Sequence, residues 1–149
     1  MRISVQTEDF DLGQEVKALS KDPKIGAVAS FVGVVREVPM TLEHYAGMTE
    51  REIAKIVEEA RSRWQVMDCT VIHRFGELRP TDQIVLVAVA SAHRGDAFAA
   101  CEFIMDYLKT RAPFWKKEHR AEGASWVEAR ASDDSAVGRW EIRPGATKP

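Results

Sequence analysis

The segment Gln83–Ala92 (QIVLVAVASA) contains no charged side chain and is built almost wholly from valine, alanine, leucine and isoleucine. It is far shorter than the roughly 20 residues that cross a bilayer as a helix, and its Val content favours a strand. A strand that is apolar on both faces has to be covered on both, so this stretch predicts a central strand with other layers packed on either side. The rest of the chain supplies those layers. Ile3–Gln6 reads as a short strand, and Leu12–Ser20 as a short helix that ends before the Asp22-Pro23 turn. Ala27–Val35 is a Val-rich strand interrupted by Gly33, which suggests a bulge or a close backbone approach, and Thr41–Tyr45 reads as its partner across a short loop.

Thr49–Trp64 is the clearest helix. Thr49 and Glu52 have capping-box spacing, and Ile53, Ile56, Val57, Ala60 and Trp64 fall on one face. Cys69–Phe75 is a strand joined to the central one by the turn at Arg79-Pro80-Thr81-Asp82. A second helix is expected from an N-cap at Asp96, with Ala97, Cys101, Ile104, Met105 and Leu108 on its buried stripe and Pro113 stopping it. Ser125–Arg130 alternates as a half-exposed strand does. The expected product is one α+β domain over residues 1–141, with a disordered polar tail over 142–149.

Charge and cysteine usage narrow the function. A net charge of −2 over 149 residues gives no whole-molecule field for nucleic acid or an acidic membrane. Met1–Phe10 lacks the basic start and apolar run of a secretory signal, so a cytoplasmic location is expected. Cys69 and Cys101 form no CxxC pair and have no His-rich surroundings, so both are expected as buried small apolar residues, with no disulfide, no metal and no cofactor implied.

The basic residues are unevenly placed, at the ends of the expected elements: Arg36 after the first Val-rich strand, His93-Arg94 after the central strand, and Lys109, Arg111, Lys116 and Lys117 around Pro113. They read either as a pocket for a compact anion such as phosphate or as scattered solvated charge. His93-Arg94 precedes a helix, where free N–H groups and the dipole favour anions. His44 and His73 lie inside strands and read as structural. If Lys109 and Lys116 approach each other, mutual repulsion frees a neutral amine to act as base or nucleophile; otherwise they are two exposed lysines at a helix C-terminus. Phe114 and Trp115 read as core anchors or as a stacking surface for a flat heterocycle. A single-stranded RNA-binding module would use Lys109, Arg111, Lys116 and Lys117 on the backbone with Phe114 or Trp115 stacking, against which stands the acidic balance.

Five stretches carry a resemblance. They are Phe31-Val32-Gly33-Val34-Val35-Arg36; Thr41-Leu42-Glu43-His44-Tyr45 followed by Gly47-Met48-Thr49; Val71-Ile72-His73-Arg74 with Gly76-Glu77-Leu78; Ser91-Ala92-His93-Arg94; and the run from Phe103 to Lys116. Together they resemble the molybdopterin synthase large (catalytic) subunit family, over a span from about Ala27 to Trp140. The resemblance implies an α/β hammerhead fold and a homodimer, with a small ubiquitin-like sulfur-carrier subunit docked at each end to make a heterotetramer. The small subunit's C-terminal Gly-Gly thiocarboxylate would deliver sulfur to cyclic pyranopterin monophosphate, and two transfers would yield the dithiolene of molybdopterin. By the same resemblance Lys109 and Lys116 are the catalytic lysines. Val34, Val35, Arg36, His93, Arg94, Lys109, Lys116, Lys117 and Glu118 would line the substrate site, and Arg130 would reach in from the neighbouring subunit. A rival within this frame is a scaffold dimer that binds the ubiquitin-like protein and leaves the chemistry to another chain. The sequence departs from the family in one place: only Glu37, Val38, Pro39 and Met40 separate Arg36 from the TLEHY stretch, where the family usually has a longer polar loop.

Overall fold

The computed structural model describes residues 1–127 and 131–141. The strand predicted from Gln83 is β6 (Gln83–Ser91), and it sits inside a four-stranded sheet of order β1-β4-β6-β2, with β1 (Arg2–Gln6), β4 (Asp68–Arg74) and β2 (Ala27–Val34). The pairing of β1 with β4 is parallel, and those of β4 and β2 with β6 are antiparallel. The two faces of this sheet follow the period-2 alternation of its residues. Val71, Val85, Val87 and Val89 face helices α2 (Met48–Arg63) and α3 (Arg94–Arg111), where they meet Ile53, Ile56, Val57, Phe103 and Ile104. Ile72, Leu86, Ala88 and Ala90 face the other way and pack on Leu19 of α1 (Leu12–Leu19). Each large aliphatic side chain buried in this way stabilises the fold by about 1.5–3 kcal/mol before entropy is counted. Both cysteines lie here; burial pushes the thiols of Cys69 and Cys101 up to about 12 and about 11.

A second four-stranded sheet, of order β5-β3-β7-β8, packs on the end of the first. It contains β3 (Met40–His44), β5 (Gly76–Leu78), β7 (Phe114–Arg120) and β8 (Gly123–Val127), and it encloses a small core of Val35, Met40, Leu42 and Leu78. A short helix α4 (Ala131–Gly138) follows and returns to α3, where Trp140 joins Trp64 and Phe103. None of the described helices is long and apolar enough to cross a membrane.

The α+β expectation holds, with two sheets in place of one, and four local expectations are corrected. Thr41–Tyr45 does not pair with Ala27–Val35; β3 is bonded to β5 and β7. The cause lies at Gly33, where the register shifts. A Cβ at Gly33 would stand 2.8 Å from Val85 Cγ1. Val35 then bonds the turn instead of its strand neighbour, donating to the Asp82 carbonyl and accepting from the Thr81 N–H. Glu37, in the left-handed region at φ 66°, completes the change of direction in the short connection. Helix α2 begins at Met48 on Gly47, with the Glu50 carboxylate accepting from the Gly47 N–H at 2.7 Å, while Thr49 is buried inside the first turn and bonds the Tyr45 carbonyl. Helix α3 begins at Arg94 with His93 at its N-cap; the Asp96 carboxylate caps nothing in its own helix and accepts from the Gln65 N–H. The strand expected over Ser125–Arg130 is β8, which starts at Gly123; residues 128–130 of that expectation, and the tail 142–149, lie outside the described residues.

Candidate active site

The seam between the two sheets and the last turn of α3 opens into a cavity of about 420 Å³, within the range of small-molecule sites. Three stretches far apart in sequence supply its cations. Arg36 follows the register shift of β2, Lys109 stands in the last turn of α3, and Lys116 projects from β7. Strand β7 was not foreseen; after Ala112-Pro113 breaks the helix, the chain turns directly into it, and its alternation decides what faces inward. Phe114, Lys116, Glu118 and Arg120 line the cavity. Trp115, Lys117 and His119 lie on the opposite face, against Tyr45, Trp126 and Thr41 in turn. The basic run around Pro113 is thereby split between two faces of one strand, which removes the continuous cationic groove that an RNA-binding module needs.

His73 is a half-buried ionisable group in the wall of the site. Its ring stacks on Phe114 at 3.7 Å and its Nδ1–H donates to the Arg74 carbonyl at 2.9 Å. Burial first, and the nearby Lys109 ammonium after it, hold its pKa down to about 4, so it is a neutral imidazole at the cavity wall. Because an unfolded histidine titrates near 6.5, the unfolded chain binds the extra proton first as pH falls. His73 therefore contributes stability above about pH 6.5 that is lost progressively on acidification towards about pH 4. His73→Phe, which keeps a stacked ring, is expected to flatten the fall in Tm between those pH values; an unchanged slope would remove His73 as its source. His44, also read as structural, bonds Thr49 Oγ1 at 3.2 Å and packs on Phe75.

The other expected site residues do not all meet in one chain. Val34 lines the cavity, but Val35 is buried beneath it. Lys117 lies on the far face of β7, stacked over Trp126. His93 and Arg94 start the helix whose last turn holds Lys109, which at about 1.5 Å per residue puts Arg94 roughly 22 Å from it along the axis. Arg130 lies outside the described residues. Arg120 and Asp133 also line the cavity and were not singled out, and His73, read as structural, lines it too; for Arg120 the signal was available, in the i, i+2, i+4 spacing of Lys116, Glu118 and Arg120. Among the described residues, no group of three or more His, Cys, Asp or Glu is placed to hold a metal ion.

The match to known proteins covers this arrangement. Residues 5–111 match the family model described as MoaE protein. The chain belongs to the MoaE family. It is 62% identical over 148 residues to a molybdopterin synthase catalytic subunit from Ralstonia nicotianae, covering 94% of this chain and 84% of the relative. Among solved structures, the MoaE protein of Burkholderia ambifaria superimposes with a TM-score of 0.83 at 58% identity, covering 94% of this chain and 98% of that one. A chain of a complex between subunits 1 and 2 of molybdopterin-converting factor from Helicobacter pylori shares the fold at a TM-score of 0.72 and 19% identity, covering 86% and 91%. The MoaE match runs from β1 through α3, and so includes Arg36, His93, Arg94 and Lys109.

Proposed function

We propose that this chain is the catalytic subunit of a cytoplasmic molybdopterin synthase. It takes sulfur from the C-terminal thiocarboxylate of a small ubiquitin-like subunit and places it on cyclic pyranopterin monophosphate. The observation that carries this is the convergence of Arg36, Lys109 and Lys116 on one cavity in a chain of net charge −2. A phosphorylated pterin needs a local cation cluster, and a reacting acyl group needs positive charge where its oxyanion develops.

Each transfer replaces one carbon–oxygen bond on the pterin by a carbon–sulfur bond, the displaced oxygen leaving protonated, and breaks the carbon–sulfur bond in the tail. Water supplies the oxygen that returns the tail to a carboxylate, and the oxidation level of sulfur does not change. Arg36 holds the phosphate, with the Lys116 ammonium in the same cavity adding to its attraction. Lys109 and Lys116 stabilise the negative charge that develops on the acyl oxygen and shuttle the proton that water gives up. The partner is a second, small subunit, as in the Helicobacter pylori complex and as the term catalytic subunit in the relatives implies.

His93 and Arg94 enter the site from a second copy. Strand β2 is the outer strand of its sheet and runs alongside α3, and it exposes Phe31 beside the exposed Phe98. Two such edges paired antiparallel about a two-fold axis would set the start of one α3 beside the end of the other. Arg130 completes the site in this assembly. The test uses two inactive chains, Lys109→Ala and Arg94→Ala, unfolded together and refolded as a mixture with thiocarboxylated small subunit and the cyclic pterin. A mixed dimer holds one intact site, so the mixture is expected to recover roughly a quarter of wild-type dithiolene formation. A mixture as inactive as its components would mean that His93 and Arg94 do not act across a two-fold interface. Wild-type chain that forms no dithiolene would sink the function itself.

A further inference from the structure

The charged side chains on the inner face of β7 are linked. Arg120 donates through Nε and Nη2 to one oxygen of Glu118, at 3.1 and 2.7 Å. The other oxygen of that carboxylate lies 3.7 Å from Lys116 Nζ, beyond direct hydrogen-bonding distance. The hydrogen bonds from Arg120 are the main reason that the Glu118 carboxyl is held below the usual carboxylate range, with the charges of Arg120 and Lys116 adding to them. Glu118 is therefore an anion shared unequally between two cations, and the nearer one is not the lysine.

We propose that Arg120 is a positioning residue of the reaction site: it captures the Glu118 carboxylate and so leaves the Lys116 ammonium open to an incoming anion. This rests on reading the cavity as the pterin phosphate site. The physical basis is competition. An ammonium closed onto a carboxylate at about 2.8 Å is already neutralised, and a phosphate must displace that carboxylate before it can bind. Without Arg120 the Glu118 carboxylate has Lys116 as its neighbour two residues along the same face, and a flexible lysine can close the gap. The other charged or titratable groups that line the cavity, Arg36, Glu37, His73, Lys109 and Asp133, come from other elements.

The test is equilibrium binding of cyclic pyranopterin monophosphate, and in parallel of inorganic phosphate, to the full chain and to R120A, R120K, E118Q and the double variant E118Q/R120A. Arg120 and Lys116 are partly solvated, so R120A is expected to weaken both ligands by about three- to fivefold, with R120K in between. In the E118Q background the same substitution is expected to cost nothing, because the competing charge is gone. Wild-type affinity in R120A overturns the proposal. So does an R120A loss that persists in the E118Q background, since Arg120 would then touch the ligand itself. Thermal melting of each variant separates these outcomes from loss of fold. A wild-type chain that binds phosphate but no pterin sinks the pterin assignment and leaves the phosphate series to judge Arg120; one that binds neither overturns both.

Discussion

Lys109→Ala is expected to lower dithiolene formation by at least about 10²-fold while leaving the melting temperature within a few degrees of wild type. Lys109 stands in the last turn of α3, where alanine is a better helix former than lysine and where the neighbouring Leu108, not Lys109, carries the packing. The lost interaction is one that matters most as charge develops in the reaction, so kcat should fall and substrate affinity should change less. Single-turnover conversion with thiocarboxylated small subunit, alongside a thermal melt, measures both. Turnover within tenfold of wild type would remove Lys109 from the chemistry and leave it as a binding cation.

The largest effect on stability is expected at Phe103. Its side chain is fully buried, and it is the meeting point of three helical elements: Trp64 after α2 and Trp140 after α4 pack edge-on against the ring, Tyr107 lies one turn along α3, and the Arg63 guanidinium stands 4.8 Å from its centroid. Phe103→Ala removes that ring and leaves a void that three helices cannot close together. The expected loss is about 3–5 kcal/mol, a large part of the about 5–15 kcal/mol that holds a domain of this size. Chemical denaturation should show an earlier midpoint, and activity should fall only as the folded fraction falls. A loss under about 1 kcal/mol would mean that the junction repacks around alanine.

The parts of this fold that depend on one element alone were legible in the sequence. The apolar run of β6, the 3.6-residue stripe of α2 and the valine content of β2 each constrain their own segment, and each element formed within a residue or two of where its pattern put it. What depends on another element was not legible. Nothing in Thr41–His44 says that its partner is Phe114–Glu118, far along the chain, rather than the adjacent β2. Thr49 and Asp96 are good cap residues by type, but backbone entry through Gly47 and His93 placed each of them inside the first turn. The same division applies to the site. Lys109 and Lys116 stood out from spacing and family resemblance, yet the face on which Lys117 lies follows from the start of β7, which an aromatic and basic run after a proline does not announce as a strand. His93 and Arg94 were credited to the cavity of their own chain, and only the length of α3 shows that they stand at the other end of it.

Strand β7 gives its two sides to different tasks. The inner side carries the charges that face the cavity, and the outer side carries Trp115, Lys117 and His119 beside Tyr45 and Trp126. A substitution at an odd-numbered position changes the outer landscape without touching the inner one, and the reverse holds for the even positions. Selection, or a protein engineer, can therefore alter what this sheet presents to its surroundings one position at a time while the chemistry stays fixed. An inserted or deleted residue enjoys no such freedom, because it exchanges the two sides at once.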